Sequence, residues 1–266
     1  MSKLRSKDGT EIAYTRDGNG PVVVLVSGGL DDGSENAALV PAMAGTFTVI
    51  NYARRGRGES GNIPPYALDR EIEDLAALME EVGGRAHLFG ASSGGALVLE
   101  AAAAGLRVDR IAVWEVPYAV GDETLRGWQE YVSDLREALH RDDRDQALTL
   151  FMRLAGSPEE MVTQVRQSEY WPGMLELAPT LAHDAACLGD GRPPVDRLVS
   201  ISQPTLVLTG PGGEATSGEL PVDYMGNSAD AIVAAVPAAE RRRLSEGSHM
   251  VDPAVLGPVL IDWFHA

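Results

Sequence analysis

Ser92 lies in a stretch whose residue types and spacing suit nucleophilic chemistry. Residues 86–104 read AHLFGASSGGALVLEAAAA, with a glycine two positions before and two positions after the serine. The residues before Ser92 have a strand pattern and those after it a helix pattern. A serine on so tight a turn must adopt a strained backbone conformation, which small neighbours permit and which pushes Oγ out above the sheet. The sequence therefore predicts a nucleophile at Ser92; the alternative is a turn of small residues that serves packing alone.

A serine nucleophile needs a general base, and His249 is the candidate among the five histidines. It follows Gly247-Ser248 after the last predicted strand and precedes the last predicted helix. That loop lies at the carboxyl edge of the predicted sheet, as does Ser92. The remaining histidines lie within a strand, within a helical interval or beside the C-terminus (His87, His140, His183 and His265). We therefore predict that His249 is the base.

The elements that must position these side chains alternate along the chain. The predicted strands are 11–18, 21–29, 47–53, 86–91, 109–117, 204–210 and 241–247. The predicted helices are 35–44, 67–83, 94–105, 228–236 and 253–265, with Asp69 and Asp252 as N-caps. Continuous apolar strands that alternate with helices predict an α/β protein with a mostly parallel, doubly wound sheet. Only helical patterns occupy residues 118–203, which predicts a helical lid beside a core of residues 1–117 and 204–266.

Composition excludes several classes of protein. The chain has 266 residues, a formal charge of −17 and one cysteine, Cys187. The negative charge argues against a nucleic-acid partner, and the lone cysteine excludes an internal disulfide framework. The sequence shows neither a membrane-spanning run nor a secretory signal, and we expect a cytoplasmic protein. We expect a small-molecule substrate and no cofactor or metal, and the oligomeric state stays open.

These motifs together resemble the α/β-hydrolase superfamily over nearly the whole chain outside 118–203. The resemblance rests on GASSG, on GSH before the final helix, on SGGL after the first buried strand and on RRGRGES after the next strand. It implies a Ser-acid-His order along the chain and an oxyanion hole of two backbone N–H groups. One donor would be Ser93. The other would be Gly29, in a loop where Ser27 replaces the family's frequent histidine.

The acid of the triad has two candidates under this resemblance. In much of the family it follows the strand that here reads PTLVLTG, where the first carboxylate is Glu214. Glu115 stands instead at the end of IAVWEVP, and its Glu-x-Pro pattern is similar to that of zearalenone-type lactonases. An unpaired carboxylate among such apolar neighbours would be costly, and an imidazolium is a suitable partner. We favour Glu115 and keep Glu214 as the alternative acid; Glu115 paired with an arginine is the structural alternative.

The RRGRGES loop and the reaction itself leave further alternatives open. Arg54, Arg55 and Arg57 either clamp a carboxylate or phosphate or, as we favour, make structural ion pairs. The leading hypothesis for function is a serine hydrolase acting on an ester, lactone or thioester of a small, largely apolar molecule. The alternatives are a cofactor-free lyase or cyclase in which His249 transfers protons, and a ligand-binding protein, because fold alone does not choose among them.

Overall fold

The computed structural model describes residues 1–211, 223–246 and 248–266. Within these ranges one sheet contains eight strands: β1 (Ser2–Arg5), β2 (Glu11–Asp17), β3 (Val22–Val26), β4 (Thr48–Tyr52), β5 (Ala86–Ala91), β6 (Val108–Trp114), β7 (Thr205–Thr209) and β8 (Ala239–Arg243). Their order across the sheet is β1-β2-β4-β3-β5-β6-β7-β8. Strands β3 to β8 run parallel, and β2 pairs antiparallel with β1 and β4. The predicted mostly parallel α/β sheet is confirmed.

Twelve α-helices accompany the sheet in the described ranges: α1 (Ser34–Ala37), α2 (Val40–Met43), α3 (Leu68–Glu81), α4 (Ser93–Ala103), α5 (Asp122–His140), α6 (Arg144–Leu154), α7 (Glu159–Arg166), α8 (Trp171–Leu177), α9 (Leu181–Leu188), α10 (Val195–Leu198), α11 (Tyr224–Ala235) and α12 (Pro253–His265). One turn of 3₁₀ helix, Ala178–Thr180, joins α8 to α9. None of the helices in these ranges is both long and apolar enough to cross a bilayer.

Four local predictions need correction. Strand β1 was not predicted, because its four residues SKLR are mostly polar and exposed at the edge of the sheet. Strand β8 spans 239–243 rather than 241–247, since it pairs in parallel register with β7. The predicted helix 35–44 is two helices; Pro41, which lacks a backbone N–H, stands at the start of the second. Asp69 lies inside the first turn of α3 and does not cap it.

The opposite end of the chain follows the predicted capping rule. Asp252 accepts a hydrogen bond of 2.8 Å from the backbone N–H of Ala254, with Pro253 as the first residue of α12. This cap satisfies one of the donors that a helix N-terminus leaves unpaired. The helix that follows the candidate base therefore begins where the sequence predicts.

The sheet is covered on both faces, and side chains alternate between the two apolar cores. In β3, Val23 and Leu25 pack with α12 and with Met43 of α2, whereas Val24 and Val26 pack on the opposite face with α3 and α4. Burial on both faces explains why the central strands are continuous apolar runs. The sheet therefore forms a rigid support whose carboxyl edge carries the candidate site.

The helical segment, residues 118–203, joins β6 to β7 and contains α5 to α10. Its α9 packs against α4, the helix that begins beside Ser92. Apolar side chains of the segment join the core on that face of the sheet, including Leu125, Leu148 and Leu181. The segment is thus helical as predicted, and its role as a lid separate from the core stays a prediction.

Candidate active site

The turn from β5 to α4 holds Ser92 in a strained conformation that its glycine neighbours make accessible. Ser92 has φ 52° and ψ −125°, in a region that L-residues rarely adopt. A Cβ on Gly90 would lie 2.5 Å from the carbonyl oxygen of Gly94, and one on Gly94 would lie 2.4 Å from that of Ser27. Larger residues at either position would push α4 away from the strands. The spacing of the glycines around Ser92 is therefore a packing requirement of the turn.

The hydroxyl of Ser92 is not used to cap the helix it precedes. Ser92 is the N-cap residue of α4, and its side chain makes no capping hydrogen bond. Its backbone N–H donates to the carbonyl oxygen of Trp114 at 2.8 Å, which holds the turn against the end of β6. Ser92 is only partly buried, so its Oγ is free to meet a ligand.

Glu115 and His249 come together although they are 134 residues apart in the chain. His249 Nδ1 lies 2.8 Å from Glu115 Oε2, and the backbone N–H of Gly210 donates to Glu115 Oε1 at 2.9 Å. Glu115 has φ 48°, a second strained position, at the carboxyl end of β6. Its carboxylate is nine-tenths buried, whereas the imidazole is 47% exposed. Since an ionised carboxylate only accepts hydrogen bonds, this contact assigns the proton to Nδ1 and leaves Nε2 as an acceptor.

Two further side chains hold the loop that carries His249. The indole Nε1 of Trp114 donates to the carbonyl oxygen of His249 at 3.0 Å. Glu35 in α1 accepts a hydrogen bond from the backbone N–H of Val251. Burial raises the pKa of Glu35, although the Val251 N–H partly opposes that shift. Trp114 therefore connects the turn of Ser92 with the loop of His249.

Among the hydrogen bonds of the described residues, none joins Ser92 Oγ to His249 Nε2. Catalytic hydrogen bonds are often long or poorly aligned without substrate and tighten when it binds. The structure thus brings Glu115 and His249 into hydrogen-bonding distance, and their assembly with Ser92 into a triad stays a prediction. The alternative acid, Glu214, lies outside the described residues.

The loop after β3 lies directly beside Ser92. A Cβ on Gly28 would lie 3.1 Å from Ser92 Cβ, so only glycine leaves room for the serine there. A Cβ on Gly29 would lie 3.3 Å from Asp184 Oδ2 and 3.5 Å from Phe151 Cζ, both in the helical segment. In the described part of the chain, the N–H groups of Gly29 and Ser93 donate to no main-chain acceptor. These two N–H groups are therefore available to a ligand atom.

The three arginines of the RRGRGES loop are buried and paired with the protein's own carboxylates. Arg54 makes a two-bond contact to Glu71, with both distances 2.7 Å. Arg55 binds Asp74 through two bonds and Asp8 through a third. Their guanidinium groups are 0 to 1% exposed. The structural ion-pair interpretation is confirmed, and the clamp for a ligand carboxylate or phosphate is wrong.

Asp184 completes this cluster and was not predicted. Its Oδ1 accepts hydrogen bonds from Arg57 at 2.6 Å, from the hydroxyl of Ser93 at 2.7 Å and from Arg54 at 2.9 Å. Burial would raise the pKa of Asp184, but Arg57 and Arg54 outweigh it and hold the pKa below its usual range. The available signal was the only carboxylate of the largely apolar α9, LAHDAACL, because a buried carboxylate is costly without a cationic partner.

None of the other histidines makes a hydrogen bond with Ser92 or Glu115 among the described residues. His183 is buried and stacks on Tyr66 with ring centroids 3.8 Å apart, and His87 is buried against Phe264. His140 and His265 are exposed on the surface. Within the described ranges no group of three or more His, Cys, Asp or Glu side chains is arranged to hold a metal ion. His249 is the histidine that the structure brings to the end of β6.

Comparison with known proteins agrees with the fold. Residues 23–255 match the sequence profile of the Alpha/beta hydrolase family. The crystal structure of an alpha/beta hydrolase from Sphaerobacter thermophilus is 42% identical, with a TM-score of 0.86 over 99% of this chain and 100% of that chain. An enol-lactonase from Burkholderia xenovorans superposes with a TM-score of 0.71 at 22% identity over the full length of both chains.

A thermophilic esterase from Thermogutta terrifontis superposes with a TM-score of 0.72 at 23% identity, covering 100% of this chain and 98% of that chain. A curated relative, the uncharacterized hydrolase YraK of Bacillus subtilis, is 26% identical over 154 residues, which is 55% of each chain. This chain therefore matches about half the length of that relative.

The chain belongs to the alpha/beta hydrolase family. Hydrolysis is accordingly the class of reaction that the family and its relatives support. The narrower resemblance to zearalenone-type lactonases stays a prediction.

Proposed function

We propose that the protein is a serine hydrolase that cleaves a carboxylic ester, lactone or thioester through an acyl-enzyme. The observation that carries the proposal is the contact of 2.8 Å between Glu115 Oε2 and His249 Nδ1, beside a strained Ser92. A histidine whose Nδ1 carries the proton presents Nε2 as a base, which is what an unactivated serine requires. The presence of an esterase and an enol-lactonase among the structural neighbours supports this class of substrate.

In the proposed reaction, Ser92 Oγ attacks the substrate carbonyl while His249 Nε2 takes the hydroxyl proton. The N–H groups of Gly29 and Ser93 stabilise the negative oxygen of the tetrahedral intermediate. His249 then gives its proton to the leaving alcohol, thiol or ring oxygen, and the acyl group stays on Ser92. A water molecule, activated by the same imidazole, releases the acid. Glu115 holds the tautomer and stabilises the imidazolium at each step.

The proposed substrate is small and largely apolar, and one apolar side chain of the helical segment lies beside the Gly29 loop. Phe151 of α6 and Asp184 of α9 approach the loop that carries Gly29. The charge of Asp184 is paired with arginines, and Phe151 is an apolar side chain that the helical segment brings to this loop. We expect the substrate to bind between this segment and the carboxyl edge of the sheet, because ligands of open parallel sheets bind at the carboxyl ends of the strands.

The test is covalent labelling with a fluorophosphonate probe, followed by intact-mass measurement. We expect one probe per wild-type molecule and none in Ser92→Ala. Ser248→Ala is the matched control, because Ser248 is an exposed serine beside His249, and it should label as the wild type does. A panel of esters, lactones and thioesters, assayed with the same variants, then identifies the substrate class.

Two results would overturn the proposal. Absence of labelling in the folded wild-type protein would exclude an activated serine. Substrate conversion that persists in Ser92→Ala but is lost in His249→Ala would assign the protein to the lyase or cyclase class, because the imidazole then acts without an acyl-enzyme.

A further inference from the structure

We propose that Arg57 and Asp184 are positioning residues that align both N–H donors of the oxyanion hole. The inference rests on the proposed function, since it concerns the stabilisation of the same tetrahedral intermediate. Neither residue contacts Ser92 or His249 by a hydrogen bond in the described structure; each acts through the loop after β3 or through the first residue of α4.

The first donor, Gly29 N–H, is held through the carbonyl group of Gly28. Arg57 Nη1 donates to that carbonyl oxygen and also to the carbonyl oxygen of Asp31 at 3.3 Å. In a planar trans peptide, the C=O of one residue and the N–H of the next point in opposite directions. A guanidinium fixed on the carbonyl side of the Gly28–Gly29 peptide therefore turns the N–H toward the opposite side and limits its rotation.

Arg54 reinforces the same loop from one residue earlier. Its Nη1 donates to the carbonyl oxygen of Ser27 at 3.3 Å. Three carbonyl groups of the loop, those of Ser27, Gly28 and Asp31, thus accept hydrogen bonds from two buried guanidinium groups. A glycine pair at the end of a strand has wide conformational freedom, and these contacts restrict it.

The second donor, Ser93 N–H, is held through the side chain of the same residue. Ser93 Oγ donates to Asp184 Oδ1 at 2.7 Å and lies 3.2 Å from Arg54 Nη1. Ser93 is the first residue of α4, so its N–H is among those that a helix N-terminus leaves without an intrahelical acceptor. Anchoring its hydroxyl to Asp184 restricts the orientation of this residue and therefore of its N–H.

Asp184 connects the two donors. Its Oδ1 accepts hydrogen bonds from Arg57 at 2.6 Å and from the hydroxyl of Ser93 at 2.7 Å. One carboxylate oxygen therefore binds both the arginine that contacts Gly28 and the residue that carries the second donor. The side chains of Arg57 and Asp184 are 0% and 8% exposed, where charge-assisted hydrogen bonds are strong and geometrically demanding. Asp184 belongs to α9 of the helical segment and Arg57 to the loop after β4. The placement of the helical segment is thereby coupled to the geometry of the hole.

Alignment of these donors affects the transition state more than the bound substrate. Hydrogen bonds to the oxyanion strengthen as negative charge develops, and loss of one whole donor lowers kcat by about 10²–10³-fold in hydrolases of this kind. Misalignment of a donor that is still present should lower kcat by less than its complete loss does. We expect a fall in kcat of about 10–100-fold for Arg57→Lys, with KM changed less than about twofold.

The experiment compares Arg57→Lys with Arg55→Lys as the matched control. A lysine has one ammonium group and does not reproduce the two-armed contact of Arg57 with Gly28 and Asp184. Arg55 is an equally buried arginine of the same loop whose partners are Asp74, Asp8 and the carbonyl oxygen of Arg70. It makes no hydrogen bond to the described residues of the loop after β3, so Arg55→Lys measures the general cost of replacing a buried arginine by lysine.

Each variant is titrated with the fluorophosphonate probe, so that kcat is expressed per competent Ser92. The inhibition constant of a boronic acid, which forms a negatively charged tetrahedral adduct with a serine, is measured beside kcat and KM. For Arg57→Lys the boronate constant should rise by the same factor as kcat falls. For Arg55→Lys we expect a lower yield of folded protein, but kcat per site and the boronate constant should match the wild type.

Ser93→Ala provides the second variant and keeps the backbone N–H. It removes only the hydroxyl that anchors the turn to Asp184, and we expect kcat per site to fall by about 3–10-fold, with a parallel rise in the boronate constant. If Arg57→Lys does not fold, this variant decides the question. The inference would be overturned if kcat per site and the boronate constant of Arg57→Lys were within twofold of those of Arg55→Lys. If Arg57→Lys does not fold, the same result for Ser93→Ala would overturn it.

Failure of the inference is distinguishable from failure of the proposed function. A wild-type protein that neither labels at Ser92 nor hydrolyses any member of the panel overturns both. A wild-type protein that labels and turns over, with Arg57→Lys equal to Arg55→Lys per site, overturns only the positioning role.

Discussion

Replacing Glu115 by glutamine should disable the base by reversing the tautomer of His249. The backbone N–H of Gly210 donates to Glu115 Oε1, so in Glu115→Gln the amide oxygen must stay at that position. The amide NH₂ group then occupies the place of Oε2, 2.8 Å from His249 Nδ1. Because NH₂ only donates, Nδ1 must accept and the proton moves to Nε2. The imidazole can then no longer take the proton of Ser92.

The size of this effect follows from the role that is lost. The same change of a carboxylate to its amide in a serine protease triad lowers kcat by about 10⁴-fold with the geometry intact. His249 is 47% exposed here, so water can partly support other orientations of the ring. We therefore expect a fall of about 10³–10⁴-fold in kcat, which corresponds to about 4–5.5 kcal/mol of transition-state stabilisation.

Steady-state kinetics on a substrate from the panel measures the loss, and ¹⁵N NMR of the histidine ring measures the tautomer directly. Glu35→Gln is the matched control. It also removes a carboxylate near His249, but its remaining amide oxygen can still accept from Val251 N–H. We expect its kcat to stay within about threefold of the wild type, because the contribution of such a partly exposed charge is small.

A second comparison, Glu214→Gln, tests the alternative acid. Turnover of Glu115→Gln within tenfold of the wild type, or an unchanged Nδ1–H tautomer, would refute the tautomer argument. Loss of turnover in Glu214→Gln together with activity in Glu115→Gln would reassign the acid to Glu214.

Two further predictions concern stability. Burial and the nearby Arg57 lower the pKa of His183 from 6.5 to about 4. Between these pH values the imidazole is protonated in the unfolded chain but stays neutral in the folded protein. The free energy of unfolding should therefore decrease as the pH falls from 6.5 towards 4. We expect a loss of about 2 kcal/mol due to His183 between pH 7.5 and pH 5, measured by urea unfolding. His183→Gln should lack that part of the pH dependence. Gly94→Ala would bring a methyl group within 2.4 Å of the carbonyl oxygen of Ser27 and should give little folded protein. Gly127→Ala, whose added methyl group meets nothing within 4 Å, should fold normally. Soluble yield and circular dichroism measure the difference, and a well-folded Gly94→Ala would contradict the packing argument.

Local pattern was sufficient for the class of fold and for the ends of several elements. Seven of the eight described strands overlap predicted strands, although β8, AERRR, is not apolar, and Asp252 with Pro253 starts the last helix as predicted. The turn at Ser92 was also predictable, because its glycines meet chain segments close in sequence or in the adjacent strand. Failures occurred where local signals were weak, as in β1, whose four mostly polar residues depend on pairing with β2.

The candidate site, like the fold, was predictable in part from the sequence. Residue type and position relative to the strands of a parallel sheet singled out Ser92, His249 and Glu115, because carboxyl ends of parallel strands meet at one edge. The sequence by itself left Glu115 and Glu214 as competing acids; the tertiary structure brings Glu115 to His249.

Only the tertiary structure identified the partners of the arginine loop. Arg54, Arg57 and Ser93 all bind Asp184. They lie 130, 127 and 91 residues before it in the chain, respectively. No periodicity links residues so distant, and a charged residue does not specify its partner. The pairing is decided by how α9 packs on α4, since burial forces each charge to find an opposite charge within that interface. Sequence thus determined which side chains had to be at the sheet edge, and packing determined which of them are coupled.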